Sequence, residues 1–238
     1  MDSYDTFMMT RVPTAERPLM GLTVLVVEDS RFASEAMRLL CLRSGARIRR
    51  ADCLKSARRH LGVYRPSVVI VDLGLPDGSG ADLIQELHTG AARVDVILAT
   101  SGDDGLEDAA LAAGADGFIA KPIESLAVFQ SIVLANLPGG MRPTGPRLLP
   151  DAEIRPDPIA FRDDLISITR KLSDKADKST LDYVAQFLSG VARSAHDRAL
   201  ETAAGALARD CAKGNPRCSD IARLAGIVQE RLERTACI

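Results

Sequence analysis

The sequence predicts an α/β fold, a five-stranded doubly wound parallel sheet, followed by a small all-α domain or helical hairpin. Two observations support this prediction. Short runs rich in valine and isoleucine alternate with amphipathic segments as far as residue 137, and no strand-like alternation follows residue 158. Short apolar runs bounded by turn residues are typical of buried parallel strands, and their regular alternation with helices favours a doubly wound sheet.

The α/β part is expected to contain five strands and five helices. The strands are expected around Ile48 and at residues 23–27, 68–71, 96–99 and 117–120. The helices are expected at residues 30–44, 54–61, 81–88, 104–113 and 125–137. Gly45, directly after the first of these helices, is a typical helix stop.

Polar side chains follow four of the five predicted strands. They are Glu28 and Asp29, Asp72, Thr100 and Ser101, and Lys121. In an open α/β sheet, ligands bind outside the carboxyl ends of the strands, so these groups should meet at one edge. Carboxylates suit Mg²⁺, lysine suits a phosphate oxygen, and an aspartate can attack a phosphoryl group to form an aspartyl phosphate. Asp72 ends the central apolar run and is the candidate nucleophile.

Four segments at these strand ends occur together and in order. They are Val26-Val27-Glu28-Asp29-Ser30, Val71-Asp72-Leu73-Gly74-Leu75-Pro76-Asp77-Gly78-Ser79-Gly80, Ala99-Thr100-Ser101-Gly102 and Gly114-Ala115-Asp116-Gly117-Phe118-Ile119-Ala120-Lys121-Pro122. In this combination, residues 21–137 resemble the receiver domain of two-component response regulators. The resemblance implies a flavodoxin-like fold and a function in a phosphorelay, and it does not extend to the rest of the chain.

The resemblance implies that Asp72 is the phosphoacceptor and that Mg²⁺ is the cofactor. The ion would be held by Glu28, Asp29, Asp72 and the backbone carbonyl of Gly74. A histidine kinase or a histidine phosphotransfer protein would donate the phosphoryl group. The enzymatic activity would be limited to self-phosphorylation and autodephosphorylation of the receiver domain, because the residues after it contain no paired catalytic carboxylates and no glycine-rich phosphate loop.

Further positions acquire roles from the same resemblance. Thr100 would contact the phosphoryl group and shift on phosphorylation, and Phe118 would be the aromatic switch residue that turns inward with it. Lys121 would pair with the phosphoryl oxygens, and the peptide bond between Lys121 and Pro122 would be cis. Phe118 could equally be an ordinary aromatic residue of an edge strand.

Two glycines stand where, in the family, side chains control the access of water to the phosphoryl group. Gly74 lies two residues after Asp72, and Gly102 lies two residues after Thr100. Because neither position has a side chain, we expect an open site and a phosphoryl group of modest lifetime.

The chain is expected to divide into four parts. Residues 1–20 mix acids, arginine and proline and are expected to be a disordered arm. Residues 21–137 would be the receiver domain. Residues 138–158 contain six of the twelve prolines and are expected to be a linker that forms no helix and buries few groups. Residues 159–238 are expected to form a helical output or interaction domain.

Composition favours a soluble cytoplasmic protein. The net charge of −2 provides no strong field for nucleic acid or a membrane surface. No apolar run approaches the ~20 residues that a membrane helix needs. The five cysteines are scattered without metal-site spacing and are expected to be reduced thiols.

The C-terminal segment is expected to contain a helix over residues 159–172, one long helix or two joined near Ser194, and a last helix over about 219–234. From Asp157 onward, thirteen lysines and arginines face twelve aspartates and glutamates. This balance and the apolar stripes favour an interaction or dimerisation module, with a homodimer formed through these helices as one arrangement.

Two alternatives remain open for this segment. Residues 219–232 resemble a helix-turn-helix signature with Gly226 at the turn, which would make the chain a DNA-binding transcriptional regulator, although Val228 replaces the usual polar cap. His196, expected to lie on a long helix, could be the acceptor of a histidine phosphotransfer domain. The neighbouring Asp197 would oppose an incoming phosphate, so a solvated surface histidine is the favoured interpretation.

Overall fold

The computed structural model describes residues 12–91, 93–143, 145, 148–173, 178–214 and 218–235. Residues 1–11, more than half of the predicted disordered arm, lie outside this part of the chain. The described residues form an α/β unit and, after it, four packed helices.

Five parallel strands form one sheet in the order β2-β1-β3-β6-β7, which confirms the predicted doubly wound sheet. The strands are β1 Thr23–Val27, β2 Arg47–Ala51, β3 Val68–Asp72, β6 Val96–Ser101 and β7 Gly117–Ala120. Two short strands that were not predicted, β4 Gly74–Leu75 and β5 Gly78–Ser79, pair as an antiparallel hairpin directly after β3. The strand order reverses between β1 and β3, and ligands bind at such switch points in open sheets.

Helices α1 to α5 connect and follow these strands. They are α1 Arg31–Arg43, α2 Leu54–Leu61, α3 Gly80–Thr89, α4 Glu107–Ala112 and α5 Leu126–Asn136. The predicted fourth helix is shorter than expected, because residues Asp104–Leu106 form a 3-10 turn. The Asp103 carboxylate starts that turn by accepting a hydrogen bond from the Gly105 N–H at 3.0 Å.

The sheet buries apolar side chains on both faces. Along β1, Val24 and Val26 belong to one core cluster, whereas Leu25 belongs to the other, because successive side chains of a strand point to opposite faces. One cluster includes residues of α1 and α5, such as Met37 and Phe129, and the other includes residues of α2, α3 and α4. The strands are therefore covered by helices on both sides, and the polar residues at their ends are held in place.

The structure corrects the predicted arm and linker. Leu19, expected within the disordered arm, is fully buried, and its N–H donates to the Ser44 carbonyl at 2.9 Å. In the linker, Gly139–Met141 form a 3-10 turn, and Ile154 is buried in the α/β core. The Ile154 N–H donates to the Glu124 carbonyl at 2.8 Å. Because a buried apolar side chain and a paired peptide offset the loss of chain entropy, a proline-rich segment can still be ordered.

The C-terminal helices form one small bundle, which we call the helical unit. They are α6 Pro158–Ser173, α7 Lys178–Ser194, α8 Arg198–Ala212 and α9 Cys218–Thr235. Their apolar stripes share a core that includes Leu165, Val184, Leu188, Leu207 and Leu224. The prediction left open one long helix or two, and the structure has two, α7 and α8.

Two structural premises of the alternative functions are wrong. Helix α9 runs unbroken through Gly226, so the turn of the predicted helix-turn-helix is absent from this segment. His196 lies in the turn between α7 and α8 with a positive φ of 55°, and not on a helix as expected. The chain turns there because the Asp197 carboxylate caps the start of α8 by accepting a hydrogen bond from the Leu200 N–H.

The helical unit packs against α1 of the α/β unit. Both α6 and α7 contact α1, and the Phe161 ring meets the Phe32 ring edge-on, with 5.8 Å between centroids. Within the described part of the chain, every helix is too short or too polar to cross a bilayer.

Candidate functional site

The polar residues predicted from the strand ends meet at one edge of the sheet. Glu28 and Asp29 follow β1, Asp72 is the last residue of β3, and Lys121 follows β7. Parallel pairing places Asp72 opposite Thr100 of β6. The prediction that these side chains share one edge is therefore confirmed by the strand register.

Three carboxylates and one ammonium group form the centre of this site. Glu28, Asp29 and Asp72 each offer an oxygen within 4.8 Å of the other two. Lys121 Nζ lies 2.6 Å from Glu28 Oε2 and 3.0 Å from Asp72 Oδ2. Glu28 and Asp72 are buried, so these charges interact with little screening by water.

Burial and mutual repulsion perturb the acids of this site. Burial, together with the charge of Asp72, raises the pKa of Glu28. Burial also raises the pKa of Asp29. For Lys121, burial opposes the ammonium charge, but attraction to Asp72 and Glu28 outweighs it and raises the pKa. The site therefore carries more negative charge than one lysine compensates, and a divalent cation would relieve the excess.

The side chains fit a hard divalent cation such as Mg²⁺. The donor set consists of carboxylate oxygens, the ligands that Mg²⁺ prefers. Asp29 Oδ1 is buried and accepts no hydrogen bond from the described residues, although such an atom normally has a partner. The Gly74 N–H lies 3.4 Å from Asp72 Oδ1, so the Gly74 peptide stands beside the same carboxylate.

The predicted switch residues lie on β6 and β7. Thr100 is buried, and its hydroxyl donates to the Ile119 carbonyl at 2.8 Å rather than to the acids. Phe118 is partly buried against the core on one face of the sheet. The peptide bond between Lys121 and Pro122 is cis, as predicted.

Comparison with known proteins assigns the α/β unit to a family. Residues 24–133 match the family described as the response regulator receiver domain. These residues form a receiver domain. The site at the edge of its sheet is thus of the kind in which receiver domains generally bind Mg²⁺.

Two curated relatives each match less than half of this chain. The KDP operon transcriptional regulatory protein KdpE of Escherichia coli is 33% identical over 99 residues, which are 42% of this chain and 44% of KdpE. The virulence transcriptional regulatory protein PhoP of Salmonella typhimurium is 31% identical over 120 residues, which are 48% of this chain and 53% of PhoP. This chain therefore spans about half the length of the curated relatives it matches.

A solved structure also matches about half of this chain. A response regulator protein from Burkholderia pseudomallei, crystallised with a phosphorylated aspartic acid, a calcium ion and citrate, is 30% identical to this chain, with a TM-score of 0.41. The match covers 50% of this chain and 68% of that one.

The helical unit contributes a carboxylate to the first turn of α1. Asp164 of α6 is buried, and it accepts hydrogen bonds from the Ser30 hydroxyl at 2.8 Å, the Arg31 N–H at 2.8 Å and the Phe32 N–H at 3.0 Å. These are donors at the N-terminus of a helix, where an anion is favourable. This contact was not predicted from the sequence, although Phe161, Asp164 and Leu165 lie at the spacing of one buried helix face.

The helical unit also reaches the acids themselves. The Tyr183 hydroxyl of α7 donates a short hydrogen bond to Asp29 Oδ2. Lys171 of α6 donates to the same hydroxyl at 3.1 Å, and its Nζ lies 4.2 Å from the centre of the Tyr183 ring. Burial and the charge of Asp29 raise the pKa of Tyr183. The phenol therefore stays protonated and can donate the hydrogen bond to Asp29.

The expectation of an open site is met at Gly74 but not at Gly102. A cavity of about 610 Å³ lies beside Asp72, but α7 and α8 form its opposite wall. A Cβ added at Gly102 would lie 3.5 Å from Gly190 Cα, so α7 faces this glycine directly. Gly74 has open space around the position of its missing Cβ. The helical unit, rather than a local side chain, thus limits access to Asp72.

His196 lies away from these contacts in an exposed turn. Its Nε2 is 2.5 Å from Glu124 Oε1 of the receiver domain. His196 is thus a surface residue whose imidazole pairs with a carboxylate, in agreement with the favoured interpretation of the sequence.

Proposed function

We propose that this chain is a response regulator that accepts a phosphoryl group on Asp72 and signals through its helical unit. The observation that supports it most is the position of Asp72. Its carboxylate ends the central strand, 3.0 Å from Lys121 Nζ and beside the two further acids that would hold Mg²⁺ with it. An aspartate can act as a nucleophile toward phosphorus when the charge of the incoming phosphoryl group is balanced.

The phosphoryl donor would be a phosphorylated histidine of a kinase or of a phosphotransfer protein. A carboxylate oxygen of Asp72 attacks the phosphorus, the P–N bond breaks, and its electron pair stays on the imidazole nitrogen. In hydrolysis, the oxygen of a water molecule attacks the phosphorus, the bond to Asp72 breaks with its electron pair returning to the carboxylate, and a proton passes to solvent. When bound, Mg²⁺ would stabilise the charge on the phosphoryl oxygens.

Asp29, Glu28 and the Gly74 carbonyl would hold the ion together with Asp72. Lys121 would hold the phosphoryl oxygens, since its ammonium group already lies at Asp72 Oδ2. Thr100 would exchange its bond to the Ile119 carbonyl for one to the phosphoryl group, and Phe118 would follow it on the neighbouring strand.

The output would be an interaction of the helical unit with a protein partner or with a second copy of this chain. Its four helices contain near-balanced charge. Helix α7 contacts the site carboxylate Asp29, and α6 binds the adjoining first turn of α1. The contacts of these helices can therefore differ between the unphosphorylated and the phosphorylated chain. Such a difference would shift the equilibrium between two arrangements of the helical unit.

A transcriptional regulator is the second candidate, since KdpE and PhoP are both named as transcriptional regulatory proteins. The unbroken α9 does not favour it. Retention of the full chain on a bulk-DNA column would support the second candidate if it falls steeply with salt, because phosphate contacts release counterions. If the full chain instead passes through the column unretained at low salt, the result would support an interaction module.

Labelling by radioactive acetyl phosphate with Mg²⁺ tests the proposed function. Asp72→Asn should abolish the label, because an amide is not a nucleophile for phosphoryl transfer. Asp77→Asn is the matched control, since the Asp77 carboxylate is engaged by the N–H groups of Leu54 and Lys55 at 2.8 and 3.0 Å. Full labelling of the Asp72→Asn chain, or loss of the label in Asp77→Asn alone, would overturn the assignment of Asp72.

A further inference from the structure

The cavity beside Asp72 is lined by two different parts of the chain. The receiver domain contributes Asp72, Gly102 and Lys121, and the helical unit contributes Gly190, Arg193 and Arg209. The cavity volume of about 610 Å³ is many times the ~30 Å³ that one water molecule occupies in the liquid. A phosphoryl group attached to Asp72 would therefore project into a space bounded by α7 and α8.

Arg193 is the cation of the helical unit that stands nearest to Gly102. Its Nη1 lies 4.0 Å from the position that a Cβ would take at Gly102. Its Nε donates to Glu201 Oε1 of α8 at 2.8 Å. Because Gly102 and Gly190 both lack side chains, nothing from either residue stands between this guanidinium and the cavity.

The charge balance of the site changes when Asp72 is phosphorylated. With a divalent cation bound, three carboxylates and Lys121 are close to neutral. A phosphoryl group carries a charge of about −1.5 to −2 near neutral pH, which is about 0.5 to 1 unit more negative than the carboxylate alone. Among the described residues that line the cavity, the cations besides Lys121 are Arg193 and Arg209, both from the helical unit.

We propose that Arg193 binds the phosphoryl group on Asp72, so that the helical unit supplies the second cation of the phosphoryl site. This inference rests on the proposed function of Asp72. The planar guanidinium can donate two parallel hydrogen bonds to phosphoryl oxygens, which a lysine cannot do. Phosphorylation would then hold α7 against the receiver domain, and Arg193 would be the residue through which the helical unit detects it.

Beryllofluoride with Mg²⁺, a phosphoryl mimic, tests this proposal on the full chain. Its affinity is measured by ¹⁹F NMR, and the lifetime of the label from acetyl phosphate is measured in parallel. Arg193→Gln should weaken beryllofluoride binding about tenfold, because a charge-assisted bidentate contact is lost. The affinity of Arg193→Lys for beryllofluoride should lie between those of the wild type and Arg193→Gln, since lysine keeps the charge but cannot donate two parallel hydrogen bonds.

Two controls separate this role from a structural one. Arg198→Gln removes an exposed arginine of α8 that does not line the cavity, and it should bind as the wild type does. Glu201→Gln breaks the ion pair between α7 and α8 but leaves the guanidinium, so its affinity should stay within about twofold of the wild type.

The outcomes are distinct for the two proposals. Equal affinity of Arg193→Gln and the wild type, or an equal loss in Glu201→Gln, would overturn the role of Arg193 and leave Asp72 as the acceptor. A wild-type chain that binds no beryllofluoride and accepts no label would overturn the proposed function itself.

Discussion

Two carboxylates lie at the interface between the helical unit and the receiver domain, Asp164 from the former and Asp29 from the latter. They differ in how many of their hydrogen-bonding positions have a partner. Asp164, brought by α6 to the start of α1, accepts three hydrogen bonds, one from a hydroxyl and two from backbone N–H groups. Asp29, at the end of β1, accepts a hydrogen bond from Tyr183 on one oxygen, while its other oxygen is buried without a partner among the described residues.

This difference separates a permanent contact from an exchangeable one. Moving Asp164 away would leave three hydrogen-bond donors without an acceptor. The contact between Asp164 and α1 should therefore persist in every state of the folded chain. Moving Tyr183 away costs one hydrogen bond, which a cation at Asp29 can replace. The same interface thus contains an anchor at α1 and a contact that can respond to the metal site.

Removing the anchor should have the largest effect. Asp164→Ala should lower the free energy of unfolding by about 3 kcal/mol, because buried donors lose a charged acceptor. Urea denaturation of the full chain measures the change. Asp163→Ala is the matched control, since its ion pair with Arg31 is exposed to solvent and should contribute less than about 1 kcal/mol. Equal losses in the two variants would mean that Asp164 is not an anchor.

The pH dependence of stability should be the next largest effect, and it should depend on Mg²⁺. The folded chain holds the Glu28 proton with a pKa of about 8 and the Asp29 proton with a pKa of about 6, above the unfolded values. The folded state thus binds more protons, and without Mg²⁺ the free energy of unfolding should fall as the pH rises from about 5 to about 8.

Saturating Mg²⁺ should flatten this slope, because the cation replaces the protons on the acids. Urea unfolding at several pH values, with Mg²⁺ and with a chelator, measures both slopes. The pKa of Asp164 is also raised by burial, so Asp164→Asn serves as the control in which the Mg²⁺-sensitive part should remain. Identical slopes with and without Mg²⁺ would contradict the assignment of Glu28 and Asp29 as ligands.

The exchangeable contact should give the smallest effect. Tyr183→Phe removes the hydroxyl that occupies Asp29 Oδ2 and should tighten Mg²⁺ binding roughly fivefold, since one net hydrogen bond no longer competes with the ion. Isothermal titration calorimetry measures the affinity. Tyr64→Phe is the control, because the Tyr64 hydroxyl contacts His60 at 3.3 Å, away from the acids. Weaker Mg²⁺ binding in Tyr183→Phe would mean that the tyrosine supports the ion instead.

The receiver domain could be predicted in detail because short sequence segments specify its strands and the polar residues at their ends. Each of Glu28, Asp72 and Lys121 stands at the end of a short apolar run, and parallel strands bring such ends to one edge whatever surrounds them. The linker was predicted less well. Its prolines exclude regular helix, but they do not reveal that Ile154 finds space in the core of the receiver domain.

The sequence by itself determined the doubly wound sheet, the acids and lysine at its edge, and the apolar stripes of the C-terminal helices. Only the tertiary structure decided which face of the receiver domain those helices cover. The decisive pairs, Ser30 with Asp164 and Asp29 with Tyr183, are 134 and 154 residues apart. Helical periodicity shows that a face is buried, but it carries no information about the partner that buries it, because apolar burial is non-directional.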